Sequence, residues 1–291
     1  MMKTVACLAG DGVGPELMAA ATRALDRVAA LHHFDLDDRH LPFAGEAVTR
    51  SGHPLPPDTR AGYRDADAIL VASPHEPAFA GIKADLHLAW RVARVDDLVV
   101  VGPVGEWATV TALAHAFSCA ASRRGRIACV GGTPSWRDAV AAEEARWNGL
   151  EVEHPSLGEI LVRLRDDSGS LDVVVTEAHL VDALVEAAGS HASVAHAWLS
   201  DDGPGVFAPG RTAPDDVAGF GVVDPMAMLL ATSLMLAEGL QSRSASRTLE
   251  RAVGAAAHSA AADDTRAFTD AVIELLPQSR TDVEHFDEVW R

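Results

Sequence analysis

The chain has 291 residues, 48% of them hydrophobic, and no apolar run long enough to span a bilayer, so composition predicts a sizeable core and no membrane partner. Its 42 acidic and 24 basic residues give a formal net charge of −18, which would repel a phosphate backbone, and no nucleic-acid partner is expected. Because the first residues enter a strand directly, without a signal-peptide pattern, a cytoplasmic location is expected.

Apolar runs of strand length alternate with segments of helical periodicity along the chain. The strand-like runs lie, in order, at 4–8, 68–72, 98–101, 126–130 and 171–175. Helical spacing of apolar residues is found at 15–32, 108–122, 180–187, 225–240, 245–261 and 265–276. Strands and helices that alternate in this way predict an α/β protein.

A glycine-rich turn, GDGVGPE at 10–16, joins the first predicted strand to the first predicted helix. Glycine allows the backbone to turn tightly and to approach a ligand closely, and the helix start behind it offers N–H groups to an anion. The turn, with Gly10, Asp11 and Gly12 at its centre, is therefore a candidate ligand-binding edge. Its spacing differs from the G-x-G-x-x-G fingerprint of dinucleotide-binding folds.

Four segments in the same order resemble motifs of the β-decarboxylating dehydrogenases, the family of isocitrate, isopropylmalate and homoisocitrate dehydrogenases. They are GDGVGPE at 10–16, DAILVASP at 67–74, DVVVTE at 172–177 and APDDVAGFGVVDP at 213–225. The resemblance implies an isopropylmalate-dehydrogenase-like two-domain α/β fold, with mixed sheets and an active-site cleft between the domains. It implies a first, cofactor-side domain at 1–101 plus 197–291 and a second, dimerisation and metal-side domain at 102–196.

The sequence departs from the family pattern at two catalytic positions. A helix begins soon after Gly102, where the family carries a long stretch with a substrate arginine, the catalytic tyrosine and, in many members, a hairpin arm. The family's catalytic lysine, in a VDKAN context, falls on Gly132. The resemblance therefore implies a shortened and diverged member in which no catalytic residue is assigned.

The family's substrate-binding segment, RKxxDLxxNxRP, resembles 83–94. Lys83 falls on the first arginine and Arg91 on the asparagine, while Arg94 is one residue beyond the second arginine. A stripe of Lys83, Arg91 and Arg94 is thus expected to bind a small anionic substrate, with a geometry altered by the lysine, which lacks the guanidinium fork. The alternative is a stripe of solvated surface charges.

A divalent cation, Mg or Mn, is implied by the match of Asp182 and Glu186 to two metal-binding aspartates of the family. The two acids are one helical turn apart and share a face. The family's other metal aspartate falls on Gly158, next to Glu159. Acids at this spacing are also a common solvent-exposed pattern, so both interpretations stay open.

A nicotinamide cofactor, NAD or NADP, is implied by the segments that hold its adenosine end in the family. The family's HGSAPD segment matches 210–215, which contains Arg211 and Asp215, and Asp224 falls on the asparagine of ANP. Arg211 is a candidate partner for a phosphate and Asp224 for an adenine amine. His75 and His179 are candidate bases near neutral pH.

The leading functional hypothesis is a diverged oxidoreductase that acts on a small 2-hydroxy carboxylic acid with a nicotinamide cofactor and a divalent metal, without the usual lysine and tyrosine. One alternative is metal-assisted chemistry without hydride transfer, such as decarboxylation, dehydration or isomerisation. Another is a non-catalytic regulatory or partner subunit. The family resemblance implies a homodimer, or a hetero-oligomer with an active relative.

Overall fold

The computed structural model describes residues 2–74, 77–189, 193–210, 215–259 and 264–278. The chain forms two compact units: the first contains Met1–His87 and Asp202–Arg291, and the second contains Leu88–Asp201. The expected domain boundaries, 101/102 and 196/197, differ from these limits because the strands on either side of position 97 pair with strands of the second unit.

The first unit is built on parallel strands with helices between them. Its strands are β1 (Met2–Leu8), β2 (Asp35–His40), β3 (Ala68–Val71) and β10 (Gly205–Pro209), in the sheet order β2-β1-β3-β10. Its helices are α1 (Gly14–His32), α2 (Ala44–Ser51), α3 (Pro57–Arg64), α4 (Ala78–Asp85), α9 (Met226–Leu234), α10 (Arg243–Ser259) and α11 (Thr265–Leu275). A π-helical stretch, Met235–Gly239, continues α9.

The predicted turn from β1 into α1 is present in the first unit. Pro15 lies in the first turn of α1. Backbone N–H groups in a first turn have no hydrogen-bond partner within the helix, so the N–H that proline lacks is not needed there. The helix ends where His33 adopts a left-handed conformation (φ +53°). Its buried face includes Leu17, Leu25 and Val28, at the spacing of an amphipathic helix.

The second unit is a mixed sheet with helices on both faces. Its strands are β4 (Trp90–Val95), β5 (Leu98–Pro103), β6 (Arg126–Val130), β7 (Glu151–Glu153), β8 (Val173–Thr176) and β9 (Val194–Leu199). The sheet order is β9-β4-β5-β8-β6-β7, with β4 antiparallel to both neighbours and the strands from β5 to β7 parallel. Its helices are α5 (Thr109–Ala121), α6 (Pro134–Glu144), α7 (Leu157–Asp166) and α8 (Val181–Ala188).

Two helical layers cover the second sheet: α5 packs with α6, and α7 packs with α8. The core beneath α7 and α8 contains aliphatic side chains from five strands of this sheet, β4, β5, β6, β8 and β9. Among them are Val95, Val100, Val130, Val174 and Val194. Within the described part of the chain, no helix is both long and apolar enough to cross a bilayer.

Candidate functional site

The carboxyl ends of β5 and β8 are neighbours in the second unit, and the chain leaves them in opposite directions. After β5 it crosses through α5 to β6, whereas after β8 it returns through α8 to β9. Such a switch point, at the carboxyl ends of parallel strands, is where α/β sheets bind ligands. The edge formed by β5 and β8 is therefore the candidate site.

Residues of four neighbouring strands form a row at this edge. Trp198 of β9 is opposite Arg91 of β4, and Arg91 is opposite Gly102 of β5. The parallel register of β5 and β8 carries the row on to Thr176. Side chains at paired positions share a face of a sheet, so Trp198, Arg91 and Thr176 lie on the same face.

Gly102 allows α8 to approach this face closely. A Cβ at position 102 would overlap with Cγ2 of Val181 and would lie 3.2 Å from the carbonyl oxygen of Thr176. Val181 is the first residue of α8 and is buried. The absence of a side chain at Gly102 thus seats α8 against β5 and places the next residue, Asp182, beside Arg91.

Three side chains hold the Arg91 guanidinium. Its Nε donates a hydrogen bond to Nδ1 of His196 at 3.3 Å, and its Nη2 lies 3.2 Å from Nε2 of the same ring. Its Cζ lies 5.7 Å from the ring centroid of Trp198, within the range of a cation–π interaction. Its Nη1 forms an ion pair with Oδ1 of Asp182. The Arg91 side chain is 17% exposed and that of Asp182 is 88% exposed, so the pair reaches from the sheet to solvent.

His196 is a buried ring that stays neutral beside Arg91. Burial, together with the positive charge of Arg91, lowers the pKa of His196 to about 3. A neutral imidazole keeps one ring nitrogen as a hydrogen-bond acceptor. The ring therefore orients the guanidinium without repelling it, and it also packs against Trp198 at a centroid distance of 5.4 Å.

Glu177 connects the loop after β8 to the loop after β6. Its carboxylate accepts hydrogen bonds from the backbone N–H groups of Gly132 at 3.0 Å and Thr133 at 3.2 Å, and from the Thr133 hydroxyl. Burial opposes ionisation of this group, but the hydrogen bonds hold the pKa of Glu177 below its usual range. The carboxylate thus fixes two of the loops at the carboxyl edge of the sheet.

The residues of the expected basic stripe have separate surroundings. Lys83 is on α4 of the first unit, with Nζ 4.8 Å from the ring centroid of Phe79. Arg91 and Arg94 are three positions apart on β4 and so point to opposite faces of the sheet. Burial and the nearby Arg123 lower the pKa of Arg94 to about 10. Of the three predicted cations, Arg91 is the one in the row at the candidate site.

The acids expected to bind a metal do not form a complete donor set. Asp182 and Glu186 are one turn apart on α8, as predicted, but Asp182 is engaged by Arg91. Glu159 caps α7, where its carboxylate accepts from the N–H and the hydroxyl of Ser156, each at 2.7 Å. Among the described residues, no group of three or more His, Cys, Asp or Glu side chains is placed to hold a metal ion. The described residues of this single chain therefore do not by themselves complete a site for a divalent cation.

The glycine turn of the first unit has packing contacts of its own. Gly10 (φ +74°) and Gly12 (φ +60°) adopt left-handed conformations that favour glycine. A Cβ on Gly10 would lie 2.7 Å from the carbonyl oxygen of Ser73. Oδ2 of Asp11 accepts a hydrogen bond from the N–H of Gly45 at 2.8 Å, at the start of α2. These contacts explain the residue types at Gly10 and Asp11 without a ligand, and their cofactor role stays a prediction.

The other predicted cofactor residues lie in the segment that precedes α9. Arg211 lies outside the described residues, as does the side chain of Asp215, which begins a short 3-10 turn. Asp224 is exposed, and its Oδ1 accepts a hydrogen bond from the N–H of Met226 at 2.8 Å. Phe220 is 74% exposed between two glycines of positive φ, at positions 219 and 221.

Sequence reasoning missed His196, Trp198 and Glu177. The run VAHAWL, apolar apart from His196, is a strand signal, and the alternation of side chains along a strand places His196 and Trp198 on one face. Glu177 directly follows the carboxyl end of a predicted strand, which is where the ligand-binding residues of α/β sheets are usually found. Of the two candidate bases, His179 is exposed in the turn between β8 and α8, and His75 lies outside the described residues.

Comparisons with known proteins agree with this fold. The profile of the family described as isocitrate/isopropylmalate dehydrogenase matches residues 4–89. The 3-isopropylmalate dehydrogenase of Synechococcus sp. (strain CC9902) is 30% identical over 320 aligned positions, which cover 86% of this chain and 90% of that protein. That of Bacillus thuringiensis subsp. konkukian (strain 97-27) is 27% identical, with 96% and 98% covered.

A solved structure of similar fold is the apo form of a β-decarboxylating dehydrogenase from Thermococcus kodakarensis. It has a TM-score of 0.82 and 20% identity, with 100% of this chain and 99% of that chain covered. The chain thus has the same α/β fold as that dehydrogenase. Because the Synechococcus relative is 30% identical and the alignment covers 86% of this chain, the chain belongs to the isocitrate/isopropylmalate dehydrogenase family of oxidoreductases. The alignment with the Synechococcus protein is longer than the 291 residues of this chain, so that relative carries segments that this chain lacks.

Proposed function

We propose that this protein is a diverged oxidoreductase that oxidises a small 2-hydroxy carboxylic acid with NAD or NADP, and that Arg91 binds a carboxylate of the substrate. The observation that carries the proposal is the position of the Arg91 guanidinium. It lies at the carboxyl edge of a parallel sheet, oriented by His196 and Trp198, and its ion-pair partner is exposed. Arginine recognises a carboxylate through two parallel hydrogen bonds, which suits it to a small anionic substrate.

The segment before α9 supports binding of the adenosine end of a nicotinamide cofactor. Phe220 presents an exposed aromatic ring, a surface on which a flat base stacks, and the exposed carboxylate of Asp224 accepts hydrogen bonds. The cofactor, when bound, supplies the acceptor for the hydride that leaves the hydroxyl-bearing carbon. The roles of Gly10, Asp11, Gly12, Arg211 and Asp215 are part of the same proposal.

The chain's own residues supply orientation and proton transfer in this proposal. Arg91 fixes the substrate carboxylate, and Glu177 holds the loops after β6 and β8 in place. His179, exposed between β8 and α8, accepts the hydroxyl proton. No step passes through a divalent cation, because the described residues around Asp182 do not by themselves complete a site for one.

Calorimetry with NAD and with NADP, followed by an absorbance assay of nicotinamide reduction, tests the proposal. The substrates are 3-isopropylmalate, isocitrate and malate. Saturable cofactor binding and substrate-dependent reduction are expected, and reduction should be lost in Arg91→Gln and retained in Arg94→Gln, which changes the opposite face of the same strand. Absence of cofactor binding in the wild-type protein would refute the oxidoreductase assignment.

A second candidate, a partner subunit without catalytic activity, is favoured by the position that matches the family's lysine. Gly132 stands there, and its backbone N–H is bound to Glu177. Such a subunit would bind the carboxylate ligand and assemble with an active relative that supplies the lysine and tyrosine, whereas the oxidoreductase would act as a homodimer. Mass photometry of the purified protein, alone and with such a relative, distinguishes the two assemblies.

A further inference from the structure

We infer that Arg91 takes the place of the divalent cation at this site, so that a substrate carboxylate binds the guanidinium without metal and displaces Asp182 from it. This inference rests on the proposed function and adds that Arg91, in place of a metal ion, supplies the positive charge that binds the substrate carboxylate. Asp182, a predicted metal ligand, thereby becomes the counter-ion that occupies Arg91 in the absence of substrate.

The Arg91 guanidinium is prepared for an anion in the ligand-free protein. Nδ1 of His196, which accepts a hydrogen bond from Nε, and the ring of Trp198 restrain its position. These neighbours use the Nε and Nη2 side of the group, whereas Nη1 points to Asp182. A guanidinium whose orientation is already set loses little conformational freedom when it binds a ligand.

Asp182 is suited to be displaced because it is exposed. Its side chain is 88% exposed, while that of Arg91 is 17% exposed, so water is available to the carboxylate when the pair opens. Exposed ion pairs contribute little to stability, because solvent screens them and their side chains lose freedom. A carboxylate that reaches Nη1 therefore competes with a weakly held partner.

The same geometry opposes a metal ion. A cation bound at Asp182 would lie beside the guanidinium, which repels it across the same short distance. Gly102 keeps α8 seated against β5, and this contact holds Asp182 over Arg91. Glu159, the other acid considered for the metal, is occupied with capping α7.

Binding of 3-isopropylmalate, isocitrate and malate, measured by calorimetry in EDTA and in Mn²⁺, tests the inference with the full-length protein. We expect at least one of the three to bind equally well in both buffers. Arg91→Gln should weaken this binding by about tenfold or more, because a charge-assisted hydrogen bond to a partly buried guanidinium is lost. Arg94→Gln, on the opposite face of β4, is the matched control and should leave it unchanged.

Asp182→Asn distinguishes a counter-ion from a metal ligand. Removal of a counter-ion frees Arg91, so carboxylate affinity should rise by about twofold to fivefold, the range expected for an exposed ion pair. Removal of a metal ligand would instead abolish the binding. Because this variant keeps Arg91 and changes an exposed residue, it also serves as the test if Arg91→Gln fails to fold.

The outcomes separate the two proposals. Binding that requires Mn²⁺ and is lost in Asp182→Asn would overturn the inference and leave the oxidoreductase assignment standing. Binding that is independent of metal but unaffected by Arg91→Gln would also overturn the inference. If none of the three acids bound in either buffer, both the inference and the proposed substrate class would fall.

Discussion

Replacement of Gly10 by alanine should destabilise the first unit through two separable effects. The first is conformational: at φ +74° an L-residue is strained, which costs about 1–2 kcal/mol. The second is steric, because the new Cβ would lie 2.7 Å from the carbonyl oxygen of Ser73 and 3.1 Å from its Cβ. Overpacking of this kind costs about 1–3 kcal/mol.

Gly52→Ala isolates the conformational part of this cost. Gly52 is in the same unit with φ +76°, but a Cβ there would meet nothing within 4 Å. Either substitution also restricts the unfolded chain, which offsets about 0.4–1 kcal/mol. We therefore expect Gly52→Ala to lose about 1 kcal/mol or less, and Gly10→Ala about 1–3 kcal/mol more than that.

Urea unfolding followed by circular dichroism measures both variants against the wild-type protein. The difference between their free energies of unfolding is the contribution of the contact between Gly10 and Ser73. Equal losses in the two variants would refute the packing explanation for Gly10. The glycine would then have to be explained by the ligand-binding role predicted from the sequence.

Three further substitutions test individual hydrogen bonds and charges. Glu177→Gln should cost about 1–3 kcal/mol in urea unfolding, because an amide nitrogen would face the N–H donors of Gly132 and Thr133. Since the folded pKa of Glu177 is lowered, the stability advantage of the wild-type protein should be present above pH 4.5 and fade as pH falls below it. The wild-type protein should lose stability relative to His196→Asn by about 1.4 kcal/mol per pH unit as pH falls from 6.5 towards 3. The reason is that the unfolded histidine takes up a proton that the buried ring does not, and parallel pH profiles of the two free energies of unfolding would contradict this. Asp11→Ala should lower the urea midpoint by the equivalent of about 1 kcal/mol, since the N–H of Gly45 loses its acceptor, and an unchanged midpoint would argue against this contact.

The five strands predicted from sequence have buried, apolar residues, but so do β9 and β10, which were not predicted. The runs that begin at positions 4, 68, 98, 126 and 171 all form strands, because central parallel strands are apolar on both faces. β2 was missed because its sequence, DLDDRH, is polar and partly exposed, and its pairing with β1 stabilises it in place of burial. Periodicity predicted α1, α5, α8, α9, α10 and α11, whereas five shorter helices, α2, α3, α4, α6 and α7, were not predicted. The π-helical continuation of α9 at Met235–Gly239 has no sequence signal.

The candidate site was only partly predictable, because its geometry depends on strand pairing. Arg91 was predicted to bind substrate, but only the β4 register reveals its contact with His196 on β9 and the separation of Arg94 onto the other face. The spacing of Asp182 and Glu186 was predicted correctly as one helical turn. The ion pair of Asp182 with Arg91 joins residues distant in sequence, and local patterns carry no information about it.

The second unit begins and ends on adjacent, hydrogen-bonded strands. Trp90 at the start of β4 is opposite Leu199 at the end of β9, and Ala89 donates to the carbonyl of Leu199 at 2.7 Å. A module whose two termini already touch is inserted into a host chain with little loss of freedom in the connections. The two connections of the second unit to the rest of the chain therefore begin side by side.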